Sequence, residues 1–149
     1  DTLITPIPLG FIDDKYKPHY KFEQVLSNNF NKNIFIYMNF TINTNPIKRQ
    51  ECWNTFINKD WVTKESEVSP EGTGIDCHRI YESIYLEAIP ILKTSELDYF
   101  YEKLPVLIVK NWNEITKEFL DDNYLNLKYN LDQWILKNSN WLEAKFWLK

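Results

Sequence analysis

Glycine is scarce here, with three in 149 residues. Methionine occurs once, and cysteine and histidine twice each. Two cysteines are too few for a disulfide framework, and Cys52 and Cys77 fit no metal-type spacing. Two reduced core thiols are the simpler reading, since unpaired cysteine is commonly buried, and pairing between them stays open. No apolar run approaches the ~18 residues of a membrane span, and no signal peptide is expected. Positive charge is not in excess either: 17 Lys and Arg stand against 21 Asp and Glu, a net charge of -4. A general nucleic-acid binder needs a basic face to release counterions, so that class is excluded, whereas a small anion held at one local site is not.

What is present is core material. Hydrophobic residues make up 44% of the chain and aromatics 16%, which argues for a packed globular domain. A chain of this length removes about 68–70% of its unfolded surface on folding, so one domain spanning 1–149 is expected. The chain begins at Asp1 rather than Met and reads as a segment of something longer. Residues 1–20, with Thr5-Pro6-Ile7-Pro8, look like a linker leading into the domain.

Three apolar runs predict buried strands: Ile34–Met38, Ile89–Leu92 and Pro105–Val109. Continuous rather than alternating hydrophobicity suits parallel strands covered on both faces. Trp61–Thr63 predicts a weaker fourth strand. Helical segments are expected at Pro46–Ile57, Ile75–Ala88 and Ser95–Leu104, and strands alternating with helices indicate an α/β domain with a parallel sheet. From Asn113 to Lys149 the chain reads as a helical tail, broken near Asn138-Ser139-Asn140, with a last helix carrying Trp141, Phe146 and Trp147.

The scarce residues converge on one stretch, Ser69-Pro70-Glu71-Gly72-Thr73-Gly74-Ile75-Asp76-Cys77-His78-Arg79-Ile80-Tyr81-Glu82. It holds two of the three glycines, one histidine, one cysteine and an arginine, the rarer of the strongly basic types. Gly72 and Gly74 permit positive φ and close backbone approach. The helix that follows presents free N–H groups suited to a phosphate, and Arg79 adds a forked donor. On a helical wheel Cys77, Ile80, Tyr81, Ile84 and Ala88 form the sheet-facing side. Ile75 and Leu86 flank Glu82 on the other side, so Glu82 is expected near a second apolar surface. A carboxylate there is of the type that accepts two hydrogen bonds from a ribose diol. The same residues have simpler readings. Gly72-Thr73-Gly74 serves as an ordinary turn, Asp76 answers a helix dipole, and His78 reads as a satisfied, partly buried histidine. Asp76–Arg79 and Arg79–Glu82 are i,i+3 neighbours of the kind that pair on surfaces.

The block from Ser69 to about Leu120 resembles the donor-binding half of exostosin-like glycosyltransferases, nearest a ribitol-phosphate xylosyltransferase-like and large-DNA-virus branch. The resemblance rests on the Ser69–Arg79 loop and helix, Glu82, Ile89-Pro90-Ile91, Ser95–Asp98, Leu104–Val109 and Trp112. It implies a Rossmann-like domain, the C-terminal half of a GT-B fold, binding a nucleotide-diphosphate sugar, UDP-linked by expectation. Gly72, Thr73 and Gly74 then belong to the loop near the diphosphate, Arg79 to the phosphate contacts and Glu82 to the ribose contact. His78 and Ser95 line the donor cleft. Partners so implied are a glycan or protein acceptor and an N-terminal domain outside this chain, which would carry any catalytic base. Glu96 stands where the family pattern has proline and Glu87 where it has glycine. The charged Lys64-Glu65-Ser66-Glu67 run occupies the place of an apolar strand, so one sheet element is expected to be missing.

No Asp-x-Asp triplet is present, which points to metal-independent transfer. The alternative is a degenerate, non-catalytic nucleotide-binding or interaction domain. The compartment stays open between a cytoplasm and the Golgi or ER lumen.

Overall fold

The computed structural model describes residues 36–38, 40–64, 70–72, 74–138 and 140, apart from the side chains of Tyr37, Thr63 and Lys64. The 1–20 lead-in, Ile34 and Phe35, most of the charged run before Ser69, and the expected last helix lie outside the described residues.

Four strands of three residues each are formed: β1 (Ile36–Met38), β2 (Val62–Lys64), β3 (Ile91–Lys93) and β4 (Leu107–Val109). Four α-helices accompany them: α1 (Pro46–Phe56), α2 (His78–Tyr85), α3 (Asp98–Tyr101) and α4 (Lys117–Lys137). β1 pairs parallel with β2, Ile36 opposite Val62, and β3 pairs parallel with β4, Ile91 opposite Leu107. The domain is therefore a mixed helix and strand structure with parallel pairing and flanking helices. The expectation of one sheet needs correcting: the described strands form two separate pairs. Side chains join the pairs where no ladder does, because Ile36, Met38 and Val62 share a core with Ile91 and Val109.

β3 shows why its run is continuously apolar. Ile91 faces the core that contains Cys52 and Phe56 of α1, with Trp112 and Ile115. Leu92 faces the core that contains Ile80, Tyr81 and Ile84 of α2 and Phe100 and Tyr101 of α3. Successive side chains alternate between faces, so a strand covered on both needs apolar residues in succession. α4 crosses from one core to the other, with Leu120 in the first and Leu131 in the second.

Several helices are shorter than the periodicity predicts, each for a local reason. α2 starts at His78 because Cys77 is extended, at φ -149 and ψ 150. It ends in a left-handed residue, Glu87, at φ 56. Ala88 N–H donates to Ser83 C=O at 2.8 Å and Glu87 N–H to Ile84 C=O at 3.0 Å. That bonding is a Schellman closure, in which glycine normally fills the left-handed place. α3 is a single turn, since Asp98 accepts from Ser95 N–H at 2.8 Å and from the Thr94 hydroxyl, keeping residues 94–97 out of the helix. The tail does not begin as an α-helix at Asn113. Trp112–Glu114 is a 3-10 turn, Ile115 turns into the first core, and Thr116 then caps α4 by accepting from Phe119 N–H at 3.1 Å. Asn138 closes α4, where the break was expected. Among the described residues no helix is long and apolar enough to cross a membrane.

Candidate functional site

The glycine loop is held by α1, a helix that the motif itself does not include. Asn45 caps α1, its side chain accepting from Lys48 N–H at 3.4 Å, and its amide donates to Gly72 C=O at 3.3 Å. Lys48 forms an ion pair with the Glu71 carboxylate. Arg49 lies in line with Cys52, Trp53 and Phe56 at i, i+3, i+4 and i+7, so helix geometry turns it inward. It is 3% exposed. Its Nε donates to Glu71 C=O at 3.1 Å and its Nη1 to Thr41 C=O at 2.7 Å. Its Cζ stands 5.7 Å from the centre of the Phe40 ring.

Gly72 is the glycine that sterics require. A Cβ there would lie 2.8 Å from Arg49 Nη2, whereas a Cβ on Gly74 would meet only Asp76 C=O, at 3.8 Å. Neither glycine has positive φ, so the close approach of a guanidinium, not backbone handedness, accounts for the residue type at 72. The N–H of Gly72 donates to Gly74 C=O at 3.2 Å, tightening the turn. Thr73 lies outside the described residues.

Asp76 is a structural node rather than a first-turn helix residue. Its carboxylate accepts from Cys77 N–H at 3.0 Å, from the Tyr81 hydroxyl at 2.9 Å and from the Tyr101 hydroxyl at 3.1 Å. Tyr101 also reaches Ile75 C=O at 3.3 Å. These bonds tie the end of the loop to α2 and α3. Burial first, and then the neighbouring Asp76 charge, push both tyrosine hydroxyls above their ordinary ionisation range.

Beyond the node, α2 carries Arg79 and Glu82 one turn apart, and they form no ion pair with each other. Arg79 has a buried Nε with no hydrogen-bond partner. Glu82 is 4% exposed and has no hydrogen-bond or ion-pair partner among the described residues. Residues Ile80 to Ile84 are buried in succession, so α2 is covered all round, as the apolar residues flanking Glu82 implied. A surface i,i+3 pairing of Arg79 with Asp76 or Glu82 is not what the chain forms.

His78 is the first residue of α2 and half-buried. Ser95 follows β3, its hydroxyl accepting from Leu97 N–H at 3.2 Å. α2 precedes β3 and β3 leads into Ser95, and Tyr101 bonds the loop before α2. Ser95 and the start of α2 therefore lie toward the same end of the strands. Among the described residues no group of three or more His, Cys, Asp or Glu side chains is placed to hold a metal ion.

Arg49, Asn45 and Tyr101 were not singled out by spacing. One compositional signal pointed to Arg49: the chain has only two arginines, against fifteen lysines (17 - 2), and Arg79 is the other. The fold brings the two together. Burial, and next the Arg79 charge, lower the proton affinity of Arg49, partly offset by Cys77 and Cys52. Neither arginine has a carboxylate partner among the described residues. The two guanidiniums thus stand beside a glycine turn with no acidic group to neutralise them. Compared with protein-family models and with curated proteins, the chain matches none.

Proposed function

We propose that this chain is the donor-binding domain of an exostosin-like glycosyltransferase, which takes a nucleotide-diphosphate sugar at the Gly72 loop and the start of α2. The observation that carries the reading is the separation of Arg79 from Glu82: two opposite charges a turn apart on a covered helix, each without a partner. An anion and a hydroxyl donor arranged along α2 in that order complete both, as the phosphate and ribose of a nucleotide are arranged. Burying a charge without partners is costly, and a ligand that supplies them offsets that cost.

In this reading the bond from the anomeric carbon to the diphosphate oxygen breaks as an acceptor hydroxyl adds to the same carbon. The hydroxyl proton passes to a base on a partner domain. The departing diphosphate gains negative charge, which the α2 terminus and Arg79 stabilise. The parallel pairing and flanking helices belong to a Rossmann-like half of a GT-B enzyme, with UDP as the expected carrier and a glycan or protein as acceptor.

Calorimetric titration with UDP and GDP tests it. Wild type is expected to bind one of them, and Arg79→Ala and Glu82→Ala to weaken that binding about tenfold or more. No binding at millimolar concentration ends the donor-site reading, and binding unaffected by both substitutions places the site elsewhere. Strands of only three residues in separate pairs favour a second reading, a domain that binds the nucleotide without transferring sugar. Sugar transfer by a longer protein containing this chain, abolished by Arg79→Ala, would set that second reading aside.

A further inference from the structure

We infer that Arg49 is the second guanidinium of the site and binds one phosphoryl group of a diphosphate while Arg79 binds the other. The inference rests on the nucleotide reading and assigns its anion contact to α1, a helix outside the loop-and-helix motif. Arg49 is 3% exposed, yet only its Nε and Nη1 are used, both on backbone carbonyls of the segments flanking the site. Nη2 has no hydrogen-bond partner among the described residues and lies against Gly72, the one place in the loop where a Cβ would collide with it. Two guanidiniums brought together without a carboxylate repel each other. A diphosphate relieves that repulsion, since each of its two phosphoryl groups presents oxygens to a forked donor. One phosphoryl group does not require both arginines. The bonds at Nε and Nη1, with the Phe40 ring, fix the guanidinium before any ligand arrives, and preorganisation of this kind lowers the cost of binding.

The site is expected to discriminate diphosphates from monophosphates through Arg49. Wild type is titrated with UDP and UMP and with GDP and GMP, and then Arg49→Gln with the same four. The expected result is a preference for the diphosphate of about ten- to a hundredfold in wild type, falling to about twofold or less in Arg49→Gln. If Arg49 only braces the loop, both ligands weaken by the same factor and the preference survives. That outcome overturns the inference and leaves the nucleotide reading standing. Equal binding of monophosphate and diphosphate by wild type overturns it too. Failure of all four to bind removes the nucleotide reading and this inference together.

Arg49→Gln loses two backbone hydrogen bonds, so a measurement on the wild-type chain is paired with it. With two arginines in the whole chain, 15N-arginine labelling yields two guanidinium Nε–H signals. They are assigned with Arg79→Lys, which leaves one. Addition of inorganic pyrophosphate is expected to shift both. Movement of the Arg79 signal alone overturns the inference.

Discussion

Arg79 and Glu82 occupy successive turns of α2 without forming an ion pair, although i,i+3 spacing brings such residues within reach. Surface helices use this spacing for weak pairs. Here the helix is covered all round, and both groups are held in place without each other. Such an arrangement trades stability for binding.

Replacement of Glu82 exposes that trade. Glu82→Leu removes a carboxylate that is 4% exposed and lacks a partner. The ligand-free protein is expected to gain about 1–3 kcal/mol, which raises the melting temperature by about 2–4 °C per kcal/mol in a chain of this size. The same substitution should lose nucleotide affinity. A melting temperature that falls on substitution would show that Glu82 contributes to the fold instead.

The two described glycines should respond differently to one added methyl. Gly72→Ala places Cβ 2.8 Å from Arg49 Nη2, and that guanidinium is held by two hydrogen bonds and a ring. A loss of about 1–3 kcal/mol is expected. Gly74→Ala meets only a carbonyl at 3.8 Å. It should be near neutral, or stabilising by up to about 1 kcal/mol through the unfolded chain. Urea denaturation of the pair settles the contrast, and equal losses would refute the role given to Arg49.

Glu87 supplies a prediction with the opposite sign. It takes φ 56 at the end of α2, a conformation that costs a side-chain-bearing residue about 1–2 kcal/mol. Glu87→Gly should stabilise the domain by about 0.5–1 kcal/mol once glycine's larger loss of entropy is counted. The ion pair it forgoes with Lys128 is long, at 3.8 Å, and exposed, so its removal costs little. Thermal unfolding of Glu87→Gly and Glu87→Ala, with only the glycine variant gaining, is the expected pattern.

The tyrosines on Asp76 predict how stability changes in alkali. Folding raises the ionisation range of Tyr81 and Tyr101, whereas in the unfolded chain both ionise near pH 10. Above about pH 10 the unfolded state holds fewer protons than the folded one, so stability falls as pH rises. It is complete below that pH. Denaturation midpoints between pH 8 and 11 should decline for wild type and decline less for Tyr81→Phe/Tyr101→Phe. Parallel declines would mean that other groups carry the effect.

Much of the scaffold was legible in local pattern. α1 was expected at Pro46–Ile57 and forms at Pro46–Phe56, because Asn45-Pro46 opens a helix by capping and fixed φ. Each predicted strand is present, though shorter. Ile34 and Phe35 lie outside the described residues, and Pro90 and Pro105 precede β3 and β4 rather than lying in them. The helix ends were less legible. α2 is cut short by Asp76 and Glu87, and both act through bonds that hydrophobic period does not register.

What the sequence determined by itself was the order of parallel strands and helices, the burial of both sides of α2, and the gathering of scarce residues before it. Apolar period and turn chemistry are local, so they can be read without the fold. Only the tertiary structure decided what those residues meet. Arg49 reaches Glu71 across 22 positions, Tyr101 reaches Asp76 across 25, and Asn45 reaches Gly72 across 27. Helical period told only that Arg49 faces inward; the packing of α1 against the glycine loop set its guanidinium beside Gly72 and brought it near that of Arg79.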